Sequence, residues 1–324
     1  MKKHNINPSL IHALARAGLL VALCITFSSL TAQKKPAKDT VTKKTTTARD
    51  TAAAEAVGKK NPYVKNTFDG NYIIDNQTVM VPIKGTFEFD IQHRFGTVVN
   101  GSADLFGLFA GANMRLAFSY TPVNNLQVGF GVSNENMLLD GNLKYAILKQ
   151  TKDGSMPVSV TYYGNFVADT RKKDSTTLFV TTSDRFSFFN EIIIARKFSD
   201  KFSLQVSPNV SHFNNRLVYL DASGNIMPLL KNYNFSIAFS GRYKISEVSS
   251  LIVNYDQPVT QNPANNPRPN ISFGIEFKTS GHDFELFFGN YSSLFPQNNN
   301  VFNQNDFTKG QFLVGFNISR LWNF

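Results

Sequence analysis

From residue 84 onward, apolar side chains recur at every second position in one short segment after another, and no other feature constrains the fold as strongly. The clearest segment is NYNFSIAFSGRYKI, where Tyr233, Phe235, Ile237, Phe239, Tyr243 and Ile245 alternate with Asn234, Ser236, Ser240, Arg242 and Lys244. Successive side chains of a strand point to opposite faces, so each such segment has one apolar and one polar face. TFEFDIQHRF sets Phe87, Phe89, Ile91 and Phe95 against Glu88, Asp90, Gln92 and Arg94, and NMRLAFSY and NLQVGFGV repeat the pattern. Further segments fall at about 142–150, 157–167, 186–198, 201–212, 232–245, 249–256, 270–278, 282–289 and 310–322, which predicts about 12 strands in a range of 10–14. The weakest is RFSFFNEIIIARKF, in which Phe189 and Ile193 interrupt the alternation.

The connections alternate in length. PVNN, KDGSM, SDK, SEV and SGH are short, whereas the stretches at about 96–111, 134–141, 168–185, 213–231, 257–269 and 290–309 are long and polar. Short turns at one end and long loops at the other describe an all-β, transmembrane, antiparallel up-and-down barrel, with periplasmic turns and extracellular loops. An even strand count brings both chain ends to the periplasmic side. A soluble sandwich also alternates, but it would have to bury nearly all of 30 phenylalanines in one core and gives no reason for the turn asymmetry.

Residues 1–32 carry Lys2, Lys3 and Arg16 without an acid, then LLVALCITF and the small-residue stretch SSLTA, the layout of a signal peptide cleaved after Ala32. The only cysteine, Cys24, lies within it, so the mature chain has no disulfide and no thiolate metal site. The formal charge of +10 suggests a nucleic-acid binder until it is located: twelve Lys and Arg but only three acids precede residue 67. Residues 33–66 have almost no apolar bulk and read as a disordered basic periplasmic linker. A periplasmic partner for this tail is the sharper alternative. Residues 67–324 form the barrel, an outer-membrane protein of a Gram-negative bacterium in contact with outer-membrane lipid.

The C-terminal stripe Phe316, Ile318, Trp322 and Phe324 faces lipid, with Arg320 close enough to the end to snorkel. Its terminal aromatic resembles the C-terminal signal of barrels folded by the outer-membrane assembly machinery. The motifs QHRFG (Gln92 to Gly96), DLFGL (Asp104 to Leu108) and LKYAILKQT (Leu143 to Thr151) together resemble an uncharacterised family of β-barrel proteins from Bacteroidota. That resemblance implies location and fold and brings no activity.

Function therefore rests on the polar faces. Glu88, Asp90, Glu191, Glu276 and Glu285, with Arg94, Arg115, Lys144, Arg242 and Lys244, are the candidate lumen residues, since charges facing hydrocarbon cost up to roughly 2–4 kcal/mol each. Five acids against five bases set no strong ion preference. Twelve strands lie between the roughly eight that side chains fill and the roughly sixteen that leave an open pore. The leading reading is a narrow channel for small hydrophilic solutes. The alternative is a plugged scaffold, with Asp90 paired to Arg115 across one ladder step, that displays loops or docks a periplasmic partner.

A lipid-facing hydrolase is a third reading. His93 and His212 have outward parity near the long-loop ends of their strands, but their expected neighbours, Met114 and Phe312, and Phe186 and Tyr233, include no serine. They fit an aromatic belt instead. His93, His212 and His282 are too far apart in sequence for a metal site, and no cofactor is expected. GSADLFGLFAGAN lacks the ending of a phosphate loop. Arg171 to Asp174, RKKD, is a candidate anion-attracting constriction in a long loop.

Overall fold

The computed structural model describes residues 62–173, 179, 181–215, 218–220 and 222–323. A small hairpin of β1 (Tyr72–Ile73) and β2 (Asn76–Gln77) precedes β3 (Thr86–Thr97), β4 (Asn113–Val123), β5 (Leu126–Ser133), β6 (Leu138–Leu148), β7 (Ser159–Asp169), β8 (Phe186–Lys197) and β9 (Phe202–Phe213). A second hairpin, β10 (Val218–Leu220) and β11 (Ile226–Pro228), leads to β12 (Tyr233–Lys244), β13 (Ser249–Pro258), β14 (Asn270–Lys278) and β15 (His282–Gly289). Helix α1 (Pro296–Phe302) and β16 (Leu313–Asn323) complete the chain.

The twelve long strands, β3 to β9 and β12 to β16, form a closed antiparallel barrel in which each pairs with its sequence neighbour and β16 pairs with β3. Alternation decides which way each side chain points. On β12 the outward Phe235 and Phe239 are 57% and 48% exposed, whereas Asn234, Ser236, Ser240 and Arg242 on the other face are buried. The molecule is therefore inside-out, with its apolar residues on the outer surface. Among the described residues no helix is long and apolar enough to cross a membrane.

Aromatic belts ring both ends. At the short-turn end Phe87 lies 5.7 Å from Trp322, and Arg320 rests over the Trp322 ring at 4.9 Å. At the long-loop end His93 stacks on Phe316 at 5.0 Å, and His212 sits 4.2 Å from Tyr233 with Phe188 behind it. The ladder thus gives His93 Phe316 rather than Phe312 as its neighbour, and gives His212 Phe188 rather than Phe186.

Several boundaries differ from the sequence reading. β6 begins at Leu138 instead of 142, so the long connection expected at 134–141 shrinks to residues 134–137. The loop expected at 290–309 contains α1, and that at 213–231 contains the β10–β11 hairpin. Residues 62–66, assigned to the linker, lie along the turn after β6, where Val64 N–H donates to the Gln150 carbonyl at 2.8 Å and Tyr63 bridges Thr151. The signal peptide, the linker through residue 61 and Phe324 lie outside the described residues.

Candidate functional site: a lumen filled from both ends

Nine of the ten candidate lumen residues are buried on the inner face, at 1% to 5% exposure. Lys244 is the exception. It lies at the short-turn rim, where its Nζ donates to Glu247 at 2.9 Å. To the five expected acids the inner wall adds Asp140, Asp256 and Asp283. Leaving aside Asp169, which is at the rim with Arg171, and Asp75, which precedes the barrel strands, eight buried acids of the wall face four buried bases among the described residues, so the expected balance is replaced by an acidic excess.

The Asp90–Arg115 pair does not form. The register sets Asp90 opposite Ala117 and Ser319, and Arg115 opposite Gln92 and Ser133. Arg115 instead forks onto Asp140, two strands away, with Nε and Nη2 donating at 2.8 and 2.6 Å. Its Nη1 donates to Gln92 at 2.9 Å, while Asp90 accepts from Ser319 at 2.5 Å. Gly131 on β5 lies between the paired residues, and a Cβ there would come within 2.4 Å of Asp140 Oδ1 and 2.7 Å of Arg115 Nε. Only glycine leaves the fork its space.

Behind this wall the lumen is occupied by the chain itself. Residues 67–80 enter from the short-turn end as a folded plug whose Phe68, Ile73 and Ile74 are fully buried. They pack with Tyr163, Phe189, Ile193, Ile252, Phe287 and Tyr291 in one apolar cluster. Phe189 and Ile193 break the alternation of β8 because they point inward to this cluster. The polar wall binds the rest of the plug backbone. Lys144 Nζ donates to the carbonyls of Asn71 and Met80 at 3.0 and 3.2 Å, Thr161 to Val79 at 3.0 Å and Gln205 to Gln77 at 2.7 Å.

The plug tip is held most firmly. Ile74 has a φ of +55°, a left-handed value rare for a β-branched residue. Such a conformation costs of order 1–3 kcal/mol and persists only where its surroundings over-determine it. Here the Ile74 N–H donates to the Glu285 carboxylate at 3.1 and 3.2 Å, and its carbonyl accepts from Asn317 at 2.6 Å. Asp75 pairs with Arg94 at 3.2 Å, and the Arg94 guanidinium lies 4.6 Å over the Phe287 ring. Nearer the rim, Asp69 meets Arg242, which also holds Glu276 at 2.8 Å.

Helix α1 descends from the long-loop end. Its sequence, PQNNNVF, is poor in helix formers, and its buried amides bond outside the helix. Gln297 donates to Asn165 at 3.0 Å, Asn300 to Asn209 at 3.2 Å and Asn299 to Asp75 at 2.9 Å. That last bond joins the helix to the plug tip, so the two elements meet inside the barrel. Glu135, between β5 and β6, accepts from Ser293 Oγ, Leu294 N–H and Asn298 Nδ2 and ties down the segment that leads into α1.

The motif glycines meet where the end of β3 touches the connection that follows it. Gly96 N–H donates to the Gly107 carbonyl at 3.1 Å, and Leu105, Phe106 and Gly107 have consecutive left-handed φ values of 52°, 57° and 84°. A Cβ on Gly107 would lie 2.1 Å from the Gly96 carbonyl oxygen, so QHRFG and DLFGL form one backbone-to-backbone contact. Of the RKKD candidate, Arg171 forks onto Asp169 at the rim, and Asp174 lies outside the described residues. Among the described residues no group of three or more His, Cys, Asp or Glu is placed to hold a metal ion. His282 lies apart from the other histidines, with its Nε2 3.0 Å from Arg320 Nη1.

The plug was missed because residues 67–83 carry no period. The inward apolar residues of β8 were the available signal, since a wet lumen has no use for them. A barrel with an apolar outer surface, a charged inner wall and aromatic belts is a membrane-bound β-barrel of porin-like architecture. The chain belongs to the family described as membrane bound beta barrel domain, DUF5777, whose match spans residues 68–322.

Solved barrels with a similar course include the NanC porin (TM-score 0.44, 10% identity, covering 74% of this chain and 99% of that one). An outer membrane channel from Pseudomonas putida F1 gives a TM-score of 0.44 at 12% identity, covering 75% of this chain and 97% of that one. The KdgM porin gives 0.39 at 9% identity, covering 74% and 99%. No curated protein matches the sequence.

Proposed function

We propose that this protein is an outer-membrane channel for small hydrophilic solutes, cations before anions, that its own N-terminal segment and α1 hold shut. The observation that carries the reading is the wall behind the plug, with eight buried acids and four buried bases on the inner faces of the strands. A permanently dry interior is generally at least as stable with well-packed apolar residues in place of buried ions. A charged wall suits a lumen that is hydrated part of the time. Several of its polar atoms, including Glu88 Oε1 and Asp90 Oδ2, have no hydrogen-bond partner among the described residues while the plug is in place.

With the short turns toward the periplasm, residues 33–61 lead directly into the plug, where a periplasmic partner can pull on it. The second reading, a permanently plugged scaffold, draws on the apolar cluster around Phe68, Ile73 and Ile74, which withdrawal would wet. Planar-bilayer recording distinguishes the two. Deleting residues 62–80 should turn a mostly silent barrel into one with stepwise, cation-selective currents. A deletion variant that keeps heat-modifiable migration but never conducts would leave the scaffold reading. Where the deletion does not fold, Asn76→Cys with Asp256→Cys in a Cys24→Ser background takes its place, because the Asn76 amide donates to Asp256 at 2.8 Å. Oxidation should abolish whatever openings the reduced protein has, and unchanged openings would refute plug movement.

A further inference from the structure

Above α1, at the long-loop mouth, is a cavity of about 530 Å³. Small-molecule sites fall in the range of about 300–1,000 Å³. The chemistry of its lining narrows what fits. Glu135 is occupied by its three donors from the α1 segment, and Asp169 and Arg171 hold each other by a fork. Arg185 donates to the carbonyls of Asp169 and Arg171 and lies 4.8 Å over the Phe179 ring. Asp184 accepts from the Thr181 N–H at 2.7 Å. These charges are engaged within the protein and have little left for a charged ligand.

The side-chain amides of Asn136, Asn215 and Asn305, which also line the cavity, have no protein partner among the described residues. Each offers two donors and an acceptor to whatever enters. Beside them is an aromatic platform. Phe302, at the C-terminal end of α1, is 41% exposed, and Phe213 holds it edge-to-face at 5.1 Å and 77°. A large ring left open to water in a polar mouth is unfavourable unless an apolar face covers it.

We propose that this mouth binds a neutral saccharide of two or three units. Hydroxyl groups, each both donor and acceptor, match the unpaired amides, and the C–H face of a sugar ring covers the open face of Phe302. Lys231 is the lining charge with no partner for its Nζ among the described residues, so an acidic sugar is the competing ligand. The assignment does not rest on conduction, and a barrel that never opens can still bind.

The test is calorimetric titration of the full chain in detergent with maltotriose, and in parallel with trigalacturonate. Maltotriose should bind with a dissociation constant of about 1 mM or tighter, weakened about tenfold or more by Phe302→Ala and by Asn215→Ala. Lys231→Ala should leave its affinity unchanged. Should Phe302→Ala fail to fold, Asn215→Ala and Asn305→Ala carry the test from the surface of the mouth. Binding that ignores these substitutions would place the sugar elsewhere and overturn the site. Trigalacturonate binding without maltotriose binding would overturn the neutral assignment, and heat for neither sugar would overturn the proposal.

Discussion

Replacing Arg115 with alanine is the sharpest probe of whether the lumen is dry while the plug is in place. The Arg115 and Asp140 side chains are 4% and 0% exposed and are joined by hydrogen bonds of 2.8 and 2.6 Å. Removing one partner of a buried pair strands the other and typically costs roughly 3–5 kcal/mol, against 0–1 kcal/mol for an exposed pair. Asp140 would keep two amide donors, Asn165 at 3.1 Å and Asn142 at 3.3 Å, which places Arg115→Ala near the lower end, at about 3 kcal/mol. In a double-mutant cycle, coupling to Asp140→Asn should be large. Coupling to Asp90→Asn should be smaller, because Asp90 is a diagonal neighbour of Arg115 on the ladder and not its hydrogen-bonded partner. Urea titration of the refolded barrel, followed by the fluorescence of Trp322, the only tryptophan, provides both quantities. A loss below about 1 kcal/mol for Arg115→Ala would mean the pair is hydrated and would refute the dry lumen.

Phe189→Ala, at the plug seat, should cost about 3–5 kcal/mol and make residues 67–80 more sensitive to protease. A stability loss without new cleavage would separate the seat from the plug. Gly107→Ala forces a Cβ to within 2.1 Å of the Gly96 carbonyl and should lower the yield of folded barrel, scored by heat-modifiable migration, more than Gly111→Ala, which meets nothing within 4 Å. Burial raises the Glu135 carboxyl above its ordinary range, so the native loop holds that proton more tightly than the unfolded chain does. Its stability contribution is therefore greatest below the ordinary glutamate range and falls as pH rises toward the elevated value. Hydrogen exchange of the Leu294 amide, corrected for intrinsic rate, should show that slope in the wild type and lose it in Glu135→Gln. Deleting Phe324 should reduce outer-membrane insertion far more than deleting any one residue of 290–309, and equal accumulation of both variants would remove its assembly role.

The sequence revealed the wall because its environment is binary. A residue such as Glu276 or Phe273 faces lumen or lipid by parity alone, and parity is readable one residue at a time. The start of β6 was obscured by Asp140-Gly141, a pair that reads as a turn and here runs straight through a strand with Asp140 turned inward to Arg115. One misplaced boundary therefore hid the partner of the central arginine and sent it to Asp90 instead. The plug and α1 were beyond local reading for a different reason. Ile74 is held by Glu285 and Asn317, 211 and 243 residues away, and Asn299 by Asp75 at a separation of 224. Neither segment has a propensity or a period of its own that would report such distant partners.

The plug is also covalently tethered close to its seat. It joins β3 through residues 81–85, and the Gly85 N–H is already fixed to the Thr121 carbonyl at 2.9 Å. Each tether residue adds at most about 3.6 Å of travel. A segment on so short a leash remains near its own binding site at an effective concentration of order millimolar, however dilute the protein. Reclosure is then a unimolecular step independent of any second molecule.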